Sequence, residues 1–194
     1  GEVWINGTLA TMGTKVMPGD TVMVHHTTIT PCQKEYLLAF HKPAGIVCTT
    51  SKIDKNNVID YLNFPDRIYP VGRLDKESTG LLLLTNNGQL MDDILRGSNY
   101  HEKEYIVHVN KPITDSVLQA MAQGVPILDT ITRPCKIRRM GKDCFYITLT
   151  QGLNRQIRRM CEYFDYRVTS LKRIRIMNIE LGSLPVGKWR ELTT

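Results

Sequence analysis

Residues Val71–Leu90, "VGRLDKESTGLLLLTNNGQL", place one aspartate, Asp75, in a glycine-flanked turn directly before four consecutive leucines. A run as apolar as Leu81–Leu84 is expected to be buried, so the turn that precedes it should lie at the edge of a core. Capping of a turn is the ordinary explanation for such an aspartate. Its basic neighbours, Arg73 and Lys76, and a second basic segment later in the chain favour a functional explanation.

The composition is that of one folded domain with a small appendage. The chain has 194 residues, of which 42% are hydrophobic and 23% are charged, and these values argue against a disordered or collagen-like protein. No apolar run approaches the roughly 20 residues that span a bilayer, and the first residues lack the features of a signal peptide. We therefore expect a cytoplasmic protein without a membrane partner. The net charge of +6 favours nucleic acid as the partner.

Sequence signals for metals, disulfides and nucleotide cofactors are weak. The five cysteines are an odd number without a CxxC pair, which predicts free thiols. The histidines lack metal-ligand spacing, and His25 and His26, if they lie on a strand, point to opposite faces. No GxSxG, Walker loop or GxGxxG motif occurs. We predict no metal site and no nucleotide cofactor.

The first 33 residues predict a separate small segment. Residues 3–25, "VWINGTLATMGTKVMPGDTVMVH", alternate apolar and polar residues around "NG" and "PGD", a pattern typical of short strands joined by tight turns. The segment is too short for an independent core. Residues 27–34, "TTITPCQK", predict a linker. The chain opens at Gly1 without methionine, which suggests that a preceding part has been removed.

Residues 34–194 predict a second domain in which strands and helices are interspersed. Helix signals occur at residues 56–62, 87–97, 114–124 and 154–164, with Asn87 and Thr114 as N-caps and Gly97 and Gly124 as terminators. A long extended segment covers residues 166–182, and strands are predicted at residues 35–43, 45–50, 67–74, 79–86, 103–109 and 144–150. This order predicts an α+β fold built on a mainly antiparallel sheet.

The second basic segment is "QGLNRQIRRMCEYF", residues 151–164. At helical spacing Arg155, Arg158 and Arg159 share one face, opposite four apolar residues, so the basic face is predicted to look away from the core. A solvated charged face is the ordinary explanation. The segment uses arginine without lysine, however, and the planar arginine fork suits phosphate or carboxylate recognition.

Several motifs in order, "GRLDKESTGLLLLTNNG", "KEYIV", "QGLNRQIRRM" and "LKRIRI", resemble the RsuA-like family of bacterial ribosomal RNA pseudouridine synthases. Within this family the chain is similar to the branch that modifies large-subunit rRNA. The resemblance runs from about Glu35 to Thr194 and implies the pseudouridine synthase fold with flanking helices. The stretch "INGTLATMGTKVMPGDTV" resembles the C-terminal end of an S4 RNA-binding domain, which makes residues 1–33 a partial S4-like segment and linker.

The resemblance implies that Asp75 is the essential aspartate of a uridine isomerase. Members of the family break the N1 glycosidic bond of uridine, rotate the uracil and rejoin it through C5. The aspartate either attacks the ribose C1′ or removes the C2′ proton, and the sequence leaves both routes open. Tyr105 of "KEY" matches the family's stacking tyrosine, and Arg158 of "QIR" matches the arginine that pairs with the aspartate. Asp75, Tyr105 and Arg158 are the predicted catalytic residues.

The resemblance also implies a set of substrate-binding residues. Leu171 matches the apolar residue on the opposite side of the uracil pocket, and Arg73 matches the residue that fills the gap left by the extruded base. Leu74 and Asn154 lie within the matching motifs and complete the set. Further basic residues are expected to contact phosphates: Lys76, Lys103, Arg155, Arg159, Lys172 and Arg173. The isomerisation involves no net redox change, so the resemblance implies no cofactor and no metal.

The expected partner is structured RNA, an rRNA stem-loop with tRNA left open, and the expected state is a monomer. A non-catalytic ribosome- or RNA-binding module is the main alternative. Such a binding module gains nothing from Asp75, because a carboxylate repels phosphate. The enzyme, in contrast, requires this aspartate. An RNA hydrolase would need clustered carboxylates or a histidine pair, and Asp92 and Asp93 lack such partners.

Overall fold

The computed structural model describes residues 2–30, 34–96 and 100–192, which fall into two units, Gly1–Glu35 and Tyr36–Thr194. The predicted α+β class is confirmed, because in this part of the chain four short helices accompany mostly antiparallel sheets. Among the same residues no helix combines the length and apolar character needed to cross a membrane.

The first unit is a four-stranded antiparallel sheet in the order β2-β1-β3-β4. Its strands are β1 Val3–Ile5, β2 Thr8–Leu9, β3 Val22–Val24 and β4 Thr27–Ile29. Asn6 and Gly7 both have positive φ, as the predicted tight hairpin turn requires.

Two expectations for the first unit are wrong. His25 and His26 have φ of 47° and 63° and form the turn between β3 and β4 instead of lying on a strand. The proposed linker at residues 27–34 begins as β4, because this turn reverses the chain and lets it pair with β3. Cys32, which lies in the proposed linker, is outside the described residues.

Within the described residues, the second unit is built on one nine-stranded sheet. Along its main path the order is β11-β12-β8-β13-β7-β5-β15, while β6 pairs with β7 and β14 pairs with β13. A separate ribbon is formed by β9 Pro126–Ile127 and β10 Thr130–Ile131. The sheet strands are β5 Leu37–Lys42, β6 Tyr69–Val71, β7 Thr79–Thr85, β8 Lys103–Val109, β11 Lys136–Arg139, β12 Cys144–Leu149, β13 Val168–Ile176, β14 Ile179–Glu180 and β15 Trp189–Glu191.

The four helices are α1 Val58–Leu62, α2 Gly88–Leu95, α3 Asp115–Gln123 and α4 Gln156–Tyr163. Three of them begin at side-chain caps: Asn57, Asn87 and Thr114 each accept a hydrogen bond from a backbone N–H of the first turn. Helix α2 ends at Leu95, and the predicted terminator Gly97 lies outside the described residues.

The prediction of a strand at residues 45–50 is wrong. Only Val47 forms a bridge there, a parallel one to Asn57. The N–H of Val47 donates to the carbonyl of Asn56, and the carbonyl of Val47 accepts from the N–H of Val58. The backbone groups of this segment are therefore used by the approach to α1, and the segment does not join the sheet.

The four-leucine run is buried on both faces, as predicted. Leu81, Leu82, Leu83 and Leu84 are all completely inaccessible to solvent. Leu82 and Leu84 belong to a cluster that includes Val58 of α1. Leu81 and Leu83 belong to a second cluster, on the face covered by α2. Strand β7 thus supplies rigid support for the turn that precedes it.

Strand β7 also carries the parallel pairing of the sheet, to β13. Gly80 lies opposite Arg173 in this register and has φ of +106°. A Cβ atom at Gly80 would collide with the carbonyl oxygen of Arg173, so the close approach of the two backbones requires glycine. This seam joins the turn that carries Asp75 to the half of the sheet formed by β8, β11, β12 and β13.

Candidate active site

Asp75 lies in the loop between β6 and β7. Its carbonyl accepts a hydrogen bond of 3.0 Å from the N–H of Ser78, which closes a tight turn. The preceding residue, Leu74, is buried in the cluster beneath α1, and its N–H donates to the Sγ of Cys48 at 3.4 Å. The Asp75 side chain stays 30% exposed. The loop is therefore anchored from below while its carboxylate remains accessible.

Lys42 is the second anchor of this loop and was not predicted from the sequence. It is completely buried at the end of β5, and its ammonium group donates to the carbonyls of Pro43, Lys76 and Ser78 at 2.8, 3.2 and 2.9 Å. Burial lowers the pKa of Lys42, and electrostatic interactions with Cys48, Glu77 and Asp75 partly oppose this shift. The sequence signal was a lysine placed between an apolar strand and a proline.

Arg158 lies beside Asp75. Its Nε is 3.6 Å from Oδ2 of Asp75, and its Nη2 donates to Oγ of Ser78 at 3.2 Å. The Arg158 side chain is only 12% exposed, so the expectation that all of the arginines look away from the core is wrong here. The reason is that α4 turns this position toward the Asp75 loop. Buried Nε of Arg158 has no hydrogen-bond partner among the described residues.

Arg155 is a second cation at the same carboxylate. Its Nη1 is 3.8 Å from Oδ2 of Asp75 and 3.4 Å from Oε2 of Glu77. It precedes α4 with φ of 50°, a left-handed backbone that takes it off the regular helical spacing assumed from the sequence. Hydrogen bonding of Glu77 with its own backbone, then with Arg155, lowers the pKa of the Glu77 carboxyl. Glu77 was not predicted, because its partner is 78 positions away.

Tyr105 and Leu171 lie on the same face of the sheet. Tyr105, on β8, packs against the cluster that contains Leu74 and against the cluster that contains Leu171. Leu171, on β13, is 6% exposed and is cross-strand to Val107, two positions from Tyr105. The Arg173 guanidinium is 6.0 Å from the centre of the Tyr105 ring. The structure therefore links Tyr105 to the cluster that contains Leu74, the residue before Asp75.

The remaining predicted residues divide by exposure. Arg73, Lys76 and Asn154 are exposed. Arg159 is half-buried, and its guanidinium donates to the carbonyl and the side-chain oxygen of Asn154. Lys103 is also half-buried, and burial, followed by the charge of Arg173, lowers its pKa.

Arg173 and Lys172, which were both expected to contact phosphate, differ in how the sheet places them. Arg173 is 3% exposed, and its Nε donates to the carbonyl of Leu81 at 2.7 Å, because the parallel seam buries it. Lys172 follows Leu171 on β13 and, by strand alternation, points to the face opposite Tyr105. Leu74 is 7% exposed, so it supports the loop and presents no free side chain to a ligand.

The arrangement is a carboxylate held between two guanidinium groups at an accessible turn. Arg155 and Arg158 place two positive charges within 4 Å of the Asp75 carboxylate, and a carboxylate at such a position can act as a nucleophile or a general base. Catalytic contacts are often long in a free enzyme and shorten when substrate binds, and the 3.6 Å separation of Arg158 from Asp75 fits that behaviour. The site can therefore support attack or proton removal by Asp75.

Comparison with known proteins identifies a family. The sequence profile described as RNA pseudouridylate synthase matches residues 36–163. The dual-specificity RNA pseudouridine synthase RluF of Escherichia coli O6:H1 is 52% identical over 195 residues, which cover 100% of this chain and 67% of that protein. Ribosomal large subunit pseudouridine synthase B of Bacillus subtilis is 32% identical over 203 residues, covering 100% of this chain and 82% of that protein.

The fold has a solved counterpart. A crystal structure of a pseudouridylate synthase superposes with a TM-score of 0.78 at 28% identity, and the match covers 98% of this chain and 85% of that one. The similarity therefore extends beyond the residues matched by the family profile to nearly the whole chain.

Proposed function

This chain belongs to the RNA pseudouridylate synthase family, and from that premise we propose that Asp75 is its essential catalytic residue. It is an RsuA-like pseudouridine synthase close to RluF, and it isomerises uridine in RNA to pseudouridine. The proposal concerns which residues perform this reaction and which RNA they act on.

The position of Arg158 beside Asp75 carries the proposal. An aspartate that merely capped a turn would not need a nearly buried arginine 3.6 Å away. Asp75 either attacks C1′ of the ribose or removes the C2′ proton, and in both cases it must be ionised at the start. Arg158 and Arg155 lie 3.6 and 3.8 Å from this carboxylate and hold it in position at the turn.

The target uridine must leave its stack before Asp75 can reach the sugar. Tyr105 stacks on one face of the extruded uracil, and its hydroxyl moves a proton at C5. Leu171 closes the other side of the pocket. Arg73, which is exposed on the Asp75 loop, occupies the gap in the RNA. Lys76, Lys103, Arg155, Arg159 and Asn154 hold the RNA backbone.

The substrate is large-subunit rRNA, in a stem-loop that presents the uridine, and tRNA is a second substrate. Similarity to a dual-specificity relative and to a large-subunit relative supports this choice. The chain acts as a monomer in the cytoplasm, and residues 1–33 contribute an S4-like RNA contact. A non-catalytic RNA-binding module is disfavoured, because it would leave Asp75 and its two arginines without a role.

The test is the variant Asp75→Asn. The amide keeps the size of the side chain but loses both the nucleophile and the base. We expect pseudouridine formation in large-subunit rRNA to fall below about 1% of wild type while RNA affinity stays within roughly threefold. Pseudouridine is measured by chemical modification and primer extension.

A matched control is Asp92→Asn on the exposed side of α2, which should retain full activity. Substantial activity of Asp75→Asn, with Asp92→Asn unchanged, would assign the reaction to another residue. Loss of both activity and affinity in Asp75→Asn would instead point to damage of the fold.

A further inference from the structure

The two faces of strands β11, β12, β8 and β13 differ in how they are covered. On one face Phe145, Ile147 and Val107 are buried in a cluster that also contains residues of α3 and α4. The alternate residues of these strands point to the opposite face. Three of these alternate residues are Tyr146, Ile106 and Lys172, and among the described residues all three lie outside the core clusters. We call this side the open face.

A row of four side chains crosses the open face. The strand register places Arg138 opposite Tyr146, Tyr146 opposite Ile106, and Ile106 opposite Lys172. Three strand spacings make this row about 14 Å long. The Arg138 guanidinium lies 4.1 Å from the centre of the Tyr146 ring. Arg138 is exposed and the other three are partly accessible, so a ligand can reach the row.

The charge of the open face is positive. Glu102 is paired with Lys136 and Arg175 at 2.8 and 3.0 Å, and Glu104 is paired with Arg175 at 3.0 Å. These acidic groups are therefore neutralised within the protein. In the described part of the chain neither Arg138 nor Lys172 forms an ion pair, and both remain available to an anionic partner.

We propose that the open face is a second RNA-binding surface, which takes a single-stranded segment of the substrate RNA outside the stem-loop that enters the active site. This inference rests on the proposed rRNA substrate. Unpaired bases expose their flat faces and stack on aromatic rings presented by a sheet, and Tyr146 offers such a ring in the middle of a basic row. Arg138 and Lys172 contact the adjoining phosphates.

The open face and the active site can be occupied at once. Tyr105 and Leu171 face the other side of the same strands, where they pack against buried clusters. A flipped uridine on that side leaves the row from Arg138 to Lys172 free. The surface therefore adds affinity for RNA that continues beyond the target stem-loop, without altering the chemistry at Asp75.

The test uses the whole chain and a fluorescent oligouridine of about 12 nucleotides, a length typical for single-strand sites. An unlabelled stem-loop without overhangs saturates the active-site side. We expect Tyr146→Ala to weaken oligouridine binding about fivefold or more. We expect Arg138→Ala combined with Lys172→Ala to reduce the slope of log affinity against log salt by about 1.4, since each phosphate contact on a single strand contributes about 0.7.

Photocrosslinking with 4-thiouridine in the same oligonucleotide locates the contact. Crosslinks to peptides of β8, β12 or β13 are expected. Tyr163→Ala and Arg167→Ala are matched controls at other exposed positions and should bind oligouridine as wild type does. Turnover of the stem-loop without overhangs should be unchanged in Tyr146→Ala.

Wild-type binding of oligouridine by Tyr146→Ala, or crosslinks confined to other surfaces, would overturn the inference. A preference of this face for polyglutamate over oligouridine would overturn it in favour of an acidic protein partner. Failure of the proposed function would be a separate result. If the wild-type protein makes no pseudouridine in rRNA, but Tyr146→Ala still weakens oligouridine binding, the rRNA proposal is refuted and the second RNA-binding surface stands.

Discussion

At the scale of single residues, Arg158 is the side chain whose surroundings say most about Asp75. Its Nε is buried without a hydrogen-bond partner in the described part of the chain, although the Asp75 carboxylate is 3.6 Å away. A buried donor left unpaired costs about 1–3 kcal/mol. A movement of a few tenths of an ångström would form this bond, so the free enzyme is close to a more stable arrangement of the pair.

We predict an energetic coupling between Arg158 and Asp75. Arg158→Ala should lower the free energy of unfolding by about 1–3 kcal/mol, less than for a fully buried pair because Asp75 is 30% exposed. Asp75→Ala in the same protein should recover part of this loss but no activity. Arg158→Lys should be intermediate, because it keeps the charge and loses the planar fork.

Denaturant unfolding of the two single variants and the double variant measures the coupling. A coupling energy of zero would show that the two side chains act independently. The same cycle with Arg155→Ala serves as the control, and a larger coupling there would assign the partner role to Arg155.

Tyr105 should separate stacking from proton transfer. Tyr105→Phe keeps the ring, so RNA affinity should remain at the wild-type level while turnover falls because the hydroxyl is lost. Tyr105→Ala should weaken base capture by about 1–3 kcal/mol, the usual range for one base stacked on a ring. Binding and single-turnover measurements give the two quantities separately, and Tyr105→Ala with wild-type affinity for substrate RNA would remove this residue from the site.

At the scale of elements, the end of β5 determines the shape of the Asp75 loop. Lys42→Met should destabilise the protein by about 2–4 kcal/mol, because three buried carbonyls lose their donor. Burial lowers the pKa of Lys42 from its usual value of 10.5. Between the lowered folded pKa and 10.5 the unfolded chain binds more protons than the folded chain, so this residue adds stability as pH rises.

The stability difference between wild type and Lys42→Met should therefore widen as pH rises toward 10.5. Urea unfolding at several alkaline pH values measures it. Lys142→Met, at an exposed position, is the control and should cost little at any pH. A difference that narrows with rising pH would contradict the assigned direction of the pKa shift.

The elements that sequence patterns predicted well are the long apolar ones. Strand β8 has the predicted bounds, and β7 was predicted to within one residue, because β7 contains the leucine run and β8 is rich in aromatic and β-branched residues. The strands that were missed are short: β9 and β10 have two residues each, β15 has three, and β11 is mainly charged at the edge of the sheet. Their pairing depends on neighbouring strands, which periodicity does not reveal.

At the scale of the whole molecule, the thiols of Cys135 and Cys161 should limit stability in alkali. Burial raises the pKa of Cys135 to about 11 and that of Cys161 to about 12. Above about pH 9 the unfolded chain loses thiol protons that the folded chain keeps, so stability falls as pH rises. We expect a loss of about 1 kcal/mol per thiol between about pH 8 and about pH 10.

Urea unfolding at these two pH values, compared with the double variant Cys135→Ala and Cys161→Ala, measures this loss. The variant should be less stable near pH 8, because it leaves cavities, but should lose less stability on going to alkali. Equal losses in both proteins would contradict the prediction. Alkylation offers a control, since the buried thiol of Cys161 should resist iodoacetamide until the protein unfolds.

The site was only partly predictable, because its contacts join distant parts of the chain. The motif resemblance suggested Asp75, Tyr105 and Arg158, and their catalytic roles remain predictions. Lys42 was missed because two of the carbonyls that hold it are 34 and 36 positions further along the chain. Arg173 was misplaced because its burial arises from the parallel seam with β7, which no local pattern announces.

The same seam determines when the enzyme can first work during its own synthesis. Arg173 and its carbonyl partner on Leu81 are 92 positions apart, so the turn that bears Asp75 is made long before the strand that completes its surroundings. Strands β5, β6 and β7 can pair early, whereas Arg158 and Leu171 arrive late, and such distant pairings form slowly. A nascent chain in which β13 has not yet emerged from the ribosome therefore holds an incomplete catalytic centre, and RNA modification should wait until β13 has been synthesised and paired.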